Sequence, residues 1–228
     1  MDGSEVLTSL NAIDRKMPCA VIVRHAARYP IDDIRKSLEV GLTDEGMEDA
    51  RRFGSALRGF NRVRFFHSPA VRCRETAESM RQGVEGNGTI TSLTGPEHNL
   101  CAPYLKEEAC LIKVAKDGKK FIRAWFEGRF NEDHIMGTSK AADMVLSPIV
   151  DRLTEPGGKG RLDVHVSHDW EINLLREELL GIRYEDAGWP PFLDGILFQP
   201  NESGFLAHYR SSVAPFCMVE ARRIESSL

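Results

Sequence analysis

The sequence predicts an α/β protein built as a three-layer α/β/α sandwich around a mostly parallel central sheet. Residues 19–23 form a continuous apolar run, which is typical of a central strand covered on both faces. Strand-like and helix-like segments then alternate along the chain, as they do in parallel α/β sheets. The length of 228 residues suits a single domain, 1–228, in which residues of about 97–155 form a helical cap insertion.

The first third of the chain predicts two strands, each followed by a helix. The first strand is expected over 19–24. Thr43 can cap a helix over about 44–58, whose apolar residues recur at three- and four-residue spacing. A second strand over 63–67 leads into Ser68 and Pro69, a pair that favours a helix with proline at its first position.

The middle of the chain carries the signals of a loop and of the cap. Residues 83–95 are rich in Gly, Asn and Thr, which indicates a loop. From about 107 to 153 the pattern becomes helical and amphipathic, and we interpret this segment as the inserted cap. Residues 155–160, with one proline and three glycines, predict a turn.

The last third predicts a return to the sheet. A third strand is expected over 162–167, followed by a helix over 170–180 that ends at Gly181, a residue suited to a left-handed helix cap. Further strands near 195–199 and 205–210 complete the predicted sheet.

Composition excludes several classes of partner and compartment. The formal net charge of −4 disfavours broad contact with nucleic acid or an anionic membrane, which depends on a positive field. The sequence has no apolar run of the roughly 20 residues that span a bilayer, and residues 1–16 lack the apolar centre of a signal peptide. Five cysteines without a paired spacing favour reduced thiols. We therefore expect a cytoplasmic protein, whose oligomeric state the sequence does not indicate.

Cationic and titratable residues lie at or just beyond the C-terminal ends of three expected strands. They are Arg24, His25 and Arg28 after the first strand, Arg72 after the second, and His168 and Asp169 after the third. Such ends meet at one edge of an open α/β sheet, where ligands bind. Guanidinium groups match phosphoryl oxygens, an imidazole can act as a nucleophile, and a carboxyl can protonate a leaving group. Together they indicate phosphoryl transfer.

Five short motifs then resemble the histidine phosphatase superfamily. Residues 24–30, RHAARYP, resemble its RHGxRxP signature except at Ala26, where the family has glycine. The other matches are LTxxG at 42–46, SxxxRxxxTA at 68–77, a late HD pair at 168–169, and PPYxxxLxF, read here as PPFLDGILF, at 190–198. The first motif and the HD pair resemble the acid-phosphatase branch more closely than the phosphoglycerate mutase-like branch. The resemblance implies a phosphoglycerate mutase-like fold.

The resemblance also implies a role for each residue of the cluster. His25 is the expected nucleophile, which forms a phosphohistidine. The expected phosphate ligands are Arg24, Arg28, Arg72 and His168. Asp169 is the expected proton donor; the alternative is a cap glutamate, Glu107 or Glu108. The superfamily needs no metal or other cofactor, and the nearby cations should lower the pKa of His25 and keep it neutral.

The expected activity is that of a phosphomonoesterase, a hydrolase acting on a phosphorylated small molecule. A phosphomutase, and a protein that binds phosphorylated ligands without turnover, are the two alternatives. A metal site of His165, His168 and Asp169 is disfavoured, because alternation along a strand directs the two histidines to opposite faces. Cys73, beside Arg72, lacks the CxxxxxR spacing of a cysteine phosphatase, so a thiol nucleophile is not expected.

Overall fold

A seven-stranded mixed sheet forms the centre of the molecule, in the strand order β3-β2-β4-β1-β5-β6-β7. The computed structural model describes residues 3–107, 113 and 116–218. Its strands are β1 Cys19–Arg24, β2 Arg62–His67, β3 Ile90–Thr94, β4 Arg161–Ser167, β5 Gly195–Asn201, β6 Gly204–Tyr209 and β7 Ser212–Phe216. The four strands from β3 to β1 run parallel, and β5, β6 and β7 continue the sheet as an antiparallel meander.

Helices cover both faces of this sheet. They are α1 Ser4–Ala12, α2 Asp44–Ala56, α3 Val71–Glu85, α4 Lys119–Phe126, α5 Thr138–Leu153, α6 Asp169–Leu180 and α7 Tyr184–Ala187, with 3-10 turns at Ile34–Glu39 and His98–Leu100. Within β1, Val21 and Val23 pack in the core shared with α1, α2 and α3, whereas Ala20 and Ile22 pack in the core shared with α4, α5 and α6. The predicted three-layer α/β architecture is therefore confirmed.

The register of the parallel strands brings their C-terminal ends to one edge. Arg24 of β1 pairs with Ser167 of β4, and His67 of β2 pairs with Val166 of β4. The residues that follow these ends therefore emerge side by side. This edge carries the candidate site.

Two predicted helix ends have the expected local chemistry. The Thr43 side chain accepts a hydrogen bond from the Gly46 amide at 3.0 Å and caps α2. Gly181 ends α6 with a φ of 67° in the left-handed region. Gly46 has a second role, because a Cβ at this position would lie 2.0 Å from the Ala27 carbonyl oxygen. Glycine thus allows α2 to approach the loop after β1.

Several predictions at the edges of the fold were wrong. Helix α1, which precedes β1, was not predicted, and residues 83–95 contain the end of α3 and the edge strand β3 instead of a loop. Strand β7 was not predicted. These pieces are short and amphipathic, and they are stabilised by packing on the sheet more than by local sequence. Ser68 does not cap α3, which begins at Val71 after Ala70.

The segment between β3 and β4 is not continuously helical over 107–153, since residues 127–137 interrupt the helices that the structure describes there. Helices α4 and α5 are joined through residues 127–137, and their apolar faces pack in one core with α6. Among the described residues, every helix is too short or too polar to span a lipid bilayer.

Candidate active site

All six residues of the predicted cluster line one cavity of about 580 Å³ at the C-terminal edge of the parallel strands. They are Arg24, His25, Arg28, Arg72, His168 and Asp169. Arg24 ends β1, Arg72 lies in the first turn of α3, and Asp169 is the first residue of α6. The structure thus brings together residues that are more than 140 positions apart in sequence.

His25 is held as a neutral imidazole with a defined tautomer. Its Nδ1 lies 2.8 Å from the Ala26 carbonyl oxygen, which can only accept, so Nδ1 carries the proton and Nε2 keeps a lone pair. The side chain is only 3% exposed. Burial, the adjacent His168 and then the Arg72 guanidinium lower the pKa of His25 well below its ordinary value. A neutral Nε2 is the form that can attack phosphorus.

Ala26 fits its position without the glycine of the family signature. Its amide donates to the Thr76 hydroxyl of α3 at 3.1 Å, and its side chain is fully buried. Among the described non-glycine residues, positive φ angles occur only at Ala102, Leu193 and Arg210. Ala26 therefore keeps ordinary backbone geometry, and the loop holds the methyl group in the core.

His168 is fixed between Arg72 and Ser68. Arg72 Nη2 donates to His168 Nδ1 at 3.0 Å, which leaves the imidazole proton on Nε2, 2.8 Å from the Ser68 hydroxyl. Burial and then the Arg72 charge lower the pKa of His168 well below its ordinary value. The rings of His25 and His168 lie 5.5 Å apart between centroids and meet edge to face. The two imidazoles therefore share one floor of the cavity.

Arg72 also offers a donor to a ligand. Its Nη1 donates to the Ser37 carbonyl oxygen, and Nη2 is used by His168. Its Nε is buried and has no hydrogen-bond acceptor among the described residues. A buried donor of this kind is costly unless an acceptor reaches it, and a phosphoryl oxygen supplies such an acceptor.

Arg24 and Asp169 form an oriented ion pair at the opposite side of the cavity. Arg24 Nη2 lies 3.0 Å from Asp169 Oδ2, which also accepts from the Trp189 indole at 2.9 Å. Arg24 Nη1 donates to the Pro190 carbonyl oxygen at 2.7 Å, and its guanidinium lies 4.3 Å from the centre of the Phe192 ring. Pro190 and Phe192 of the PPF motif therefore help to hold the Arg24 guanidinium in position.

Arg28 completes the group of cations. It is half-buried, and its Nη1 donates to the Tyr29 carbonyl oxygen at 2.8 Å. Burial, followed by repulsion from Arg72, lowers the pKa of Arg28, although a guanidinium stays charged throughout the working range of pH. The three arginines exceed the charge of Asp169, so the cavity attracts a small anion.

A family comparison covers the part of the chain that carries most of these residues. Residues 20–93 match the Histidine phosphatase superfamily (branch 1). This match agrees with the resemblance predicted from the motifs and places it in branch 1, so the predicted closer likeness to the acid-phosphatase branch is wrong.

Solved structures confirm the phosphoglycerate mutase-like fold. YhfR of Bacillus stearothermophilus is 19% identical, with 82% of this chain and 93% of that chain covered and a TM-score of 0.52. A mycobacterial glucosyl-3-phosphoglycerate phosphatase in complex with inorganic phosphate is 16% identical, with 86% and 98% covered and a TM-score of 0.54. An Entamoeba histolytica phosphoserine phosphatase mutant in complex with phosphoserine is 15% identical, with 86% and 98% covered and a TM-score of 0.52. No curated protein matches the sequence.

Of the two alternative acids, only Glu107 lies within the described residues. Glu107 is half-exposed, and its Oε2 lies 2.8 Å from His134 Nδ1. It is absent from the described residues that line the cavity. Glu108 lies outside the described residues. Of the carboxyl groups named in advance, the structure therefore brings only Asp169 to the cavity among the residues it describes.

Glu171 is a site residue that sequence reasoning missed. It lines the cavity, is 0% exposed, and accepts at Oε1 from the Ala102 amide at 2.6 Å and the Tyr104 hydroxyl at 3.1 Å. Its Oε2 is buried without a hydrogen-bond partner among the described residues, and burial raises the pKa of Glu171 to about 7. The one signal in the sequence is its position three residues after His168, on the first turn of α6.

The structure also places His165, considered above for a metal site, and Cys73, considered for a thiol nucleophile. His165 is fully buried in β4 and stacks on Phe66, 4.9 Å between centroids, instead of joining His168. Over the part of the chain that the structure describes, no three histidine, cysteine or acidic side chains are grouped to hold a metal ion. Burial raises the pKa of the Cys73 thiol to about 12, which makes a thiolate nucleophile unfavourable.

Proposed function

We propose that this protein is a phosphomonoesterase that hydrolyses a phosphorylated small molecule through a covalent phosphohistidine on His25. The observation that carries the proposal is the His25 imidazole, neutral and protonated at Nδ1, on the floor of a cavity that three arginines share. An uncharged nucleophile beside fixed cations is the arrangement that phosphoryl transfer needs, because charge accumulates on the phosphoryl oxygens and not on the attacking group.

The first half-reaction forms the phosphohistidine. The lone pair of His25 Nε2 attacks phosphorus, the bond between phosphorus and the ester oxygen breaks, and the leaving oxygen takes a proton from the acid. Arg24, Arg28 and Arg72 bind the equatorial oxygens in this proposal, and His168 supports them. The buried Nε of Arg72 is positioned to contribute a further hydrogen bond.

The second half-reaction returns the enzyme to its starting state. Water attacks the phosphohistidine, the bond between phosphorus and nitrogen breaks, and inorganic phosphate leaves. The water gives its proton to the carboxylate that acted as the acid, and His25 recovers its lone pair. No metal or other cofactor is required, since the arginines supply the positive charge.

Asp169 is the proposed acid. It lines the cavity and is oriented by Arg24 and the Trp189 indole, whereas Glu107 pairs with His134. The likeness to two structures named as phosphatases supports hydrolysis over the return of the phosphoryl group to a second hydroxyl.

The helical segment of about 97–155 is proposed to act as the cap of a single domain over 1–228. It contributes Ala102 and Leu105 to the lining of the cavity, and so contacts the group attached to the phosphate. A segment of this kind selects among substrates without touching the nucleophile.

The test compares His25→Ala with His98→Asn on 4-nitrophenyl phosphate. His98 is exposed in a 3-10 turn and is absent from the described cavity lining, so it controls for the loss of an imidazole. We expect His25→Ala to lower kcat by about a thousandfold or more and His98→Asn to leave it unchanged. Enzyme denatured in alkali, in which the phosphorus–nitrogen bond of a phosphohistidine is stable, should retain labelled phosphate only when His25 is present. Full activity in His25→Ala would refute the proposal.

A further inference from the structure

The cavity changes character with distance from His25. The phosphate end is formed by the arginines and imidazoles, and the remaining lining is largely aliphatic or aromatic. These outer residues are Ile31, Ile34, Leu38, Ala102, Leu105 and Trp170. A volume of about 580 Å³ falls within the range of small-molecule sites, so it holds a phosphoryl group together with a sizeable organic group.

One apolar wall is attached to the phosphate end itself. Ile34 and Leu38 belong to the 3-10 turn Ile34–Glu39, and the Ser37 carbonyl oxygen of this turn accepts a hydrogen bond from Arg72. The turn begins with a cap in which Asp33 accepts from the Arg35 amide at 3.1 Å. The wall is therefore held at a fixed place relative to the phosphate ligands.

The opposite wall is attached to the floor through Glu171. The Ala102 amide donates to Glu171, and the Leu105 amide closes a turn onto the Ala102 carbonyl oxygen at 3.1 Å. Trp170 flanks this wall and is backed by the rings of Phe121 and Trp125, at 5.8 and 6.4 Å between centroids. Apolar side chains from two separate segments of the chain therefore line the cavity beside the phosphate ligands.

Polar partners are scarce on these two walls. The Arg35 guanidinium, which also lines the cavity, is held by both carboxylate oxygens of Asp33 at 3.1 Å. The Ser37 carbonyl oxygen is used by Arg72. The remaining polar groups are the Ser37 side chain and Glu171 Oε2, which are too few for the several hydroxyls of a polyhydroxylated group, whereas an apolar ring gains from burial.

We infer that the substrate is a phosphate monoester of an alcohol that carries an apolar ring, held between Leu38 on one side and Leu105 and Trp170 on the other. The inference rests on the proposed function, since it concerns the group esterified to the phosphate that His25 attacks. It assigns specificity to these two walls and leaves the phosphate ligands to determine the chemistry.

The first experiment compares benzyl phosphate with glycerol 3-phosphate and glucose 6-phosphate. All three release an alkoxide, so they make similar demands on the acid and differ chiefly in the polarity of the attached group. We expect kcat/KM for benzyl phosphate to be higher by about tenfold or more, which is the scale of discrimination by an apolar pocket. Equal or greater kcat/KM for the polyhydroxylated esters overturns the inference and leaves the proposed function standing.

The second experiment changes the wall and leaves the phosphate end intact. In Leu38→Asn we expect the preference for benzyl phosphate to fall several-fold, with inhibition by inorganic phosphate unchanged. Leu38 is 45% exposed, so this variant should fold. Val213→Asn, at a 55% exposed position on the edge strand β7, is the matched control and should keep the preference. An unchanged preference in Leu38→Asn contradicts the inference.

A binding measurement separates the inference from the proposed function. Calorimetry with benzylphosphonate and 2-hydroxyethylphosphonate, which cannot be hydrolysed, reports the preference of the walls without turnover. Tighter binding of benzylphosphonate together with no hydrolysis of any ester would support the apolar preference of the walls and refute the proposed phosphatase activity. Equal binding of the two phosphonates would refute the apolar preference of the walls, whatever the rates of ester hydrolysis.

Discussion

Glu171 makes the stability of this protein depend on pH in a direction opposite to that of most carboxyl groups. Burial raises the pKa of Glu171 from 4.5 to about 7, so the folded state holds a proton that the unfolded state has released. Below pH 4.5 the group is protonated in both states and has no effect. Between pH 4.5 and 7 the free energy of unfolding falls as the pH rises, and the whole loss is present above about pH 7.

The size of the effect follows from the shift. Each pKa unit corresponds to 1.36 kcal/mol, so a rise from 4.5 to about 7 costs roughly 3 kcal/mol of stability at pH 8. Glu171→Gln removes this cost, because the glutamine carbonyl can accept the same bonds from the Ala102 amide and the Tyr104 hydroxyl. We therefore expect Glu171→Gln to exceed the parent protein by less than about 1 kcal/mol at pH 5 and by roughly 3 kcal/mol at pH 8.

Urea unfolding at several pH values between 5 and 8 measures this difference directly. Glu178→Gln is the matched control, since it removes the same charge from an exposed position of the same helix. A stability difference between Glu171→Gln and the parent that stays constant over this range would refute the argument. It would mean that Glu171 is ionised in the folded protein and that its buried Oε2 finds a partner.

Two further predictions concern the chemistry of the cavity. Asp169→Asn should slow benzyl phosphate about a hundredfold more than 4-nitrophenyl phosphate, because only the poorer leaving group needs a proton; equal losses in steady-state rates would assign Asp169 a positioning role. His25 should remain neutral as the pH falls below its ordinary pKa of 6.5, with the proton on Nδ1, since burial and the neighbouring His168 and Arg72 disfavour the imidazolium. Nitrogen-detected NMR titration, assigned with His25→Ala, measures both properties, and a midpoint at or above pH 6.5 contradicts this view.

The sequence predicted the parts of the fold that local patterns determine. The apolar run of β1 specifies a strand buried on both faces, and the observed strand Cys19–Arg24 has the predicted bounds. Thr43 and Gly181 mark helix ends through local hydrogen bonding and backbone conformation, so they too were predictable. The cluster at the strand ends was predictable because parallel strands share one C-terminal edge.

The features that were missed arise from tertiary packing. Ser68 was expected to cap a helix, but its hydroxyl contacts His168, which lies 100 positions later between β4 and α6. Glu171 becomes a buried carboxyl only because Ala102 and Tyr104 fold over it, and nothing in its local sequence indicates that contact. The edge strands β3 and β7 have little apolar pattern of their own, since one side of each faces solvent.

Arg72 joins two tasks that enzymes often keep on separate residues. The same guanidinium contacts His168 beside the nucleophile and the Ser37 carbonyl oxygen. Ser37 belongs to the turn Ile34–Glu39, which forms the wall proposed to contact the organic group. A shift of that wall must therefore be transmitted to the residue beside the nucleophile. Natural variants of the turn at 34–39 would then alter turnover along with selectivity, and the two properties could not diverge freely in related proteins.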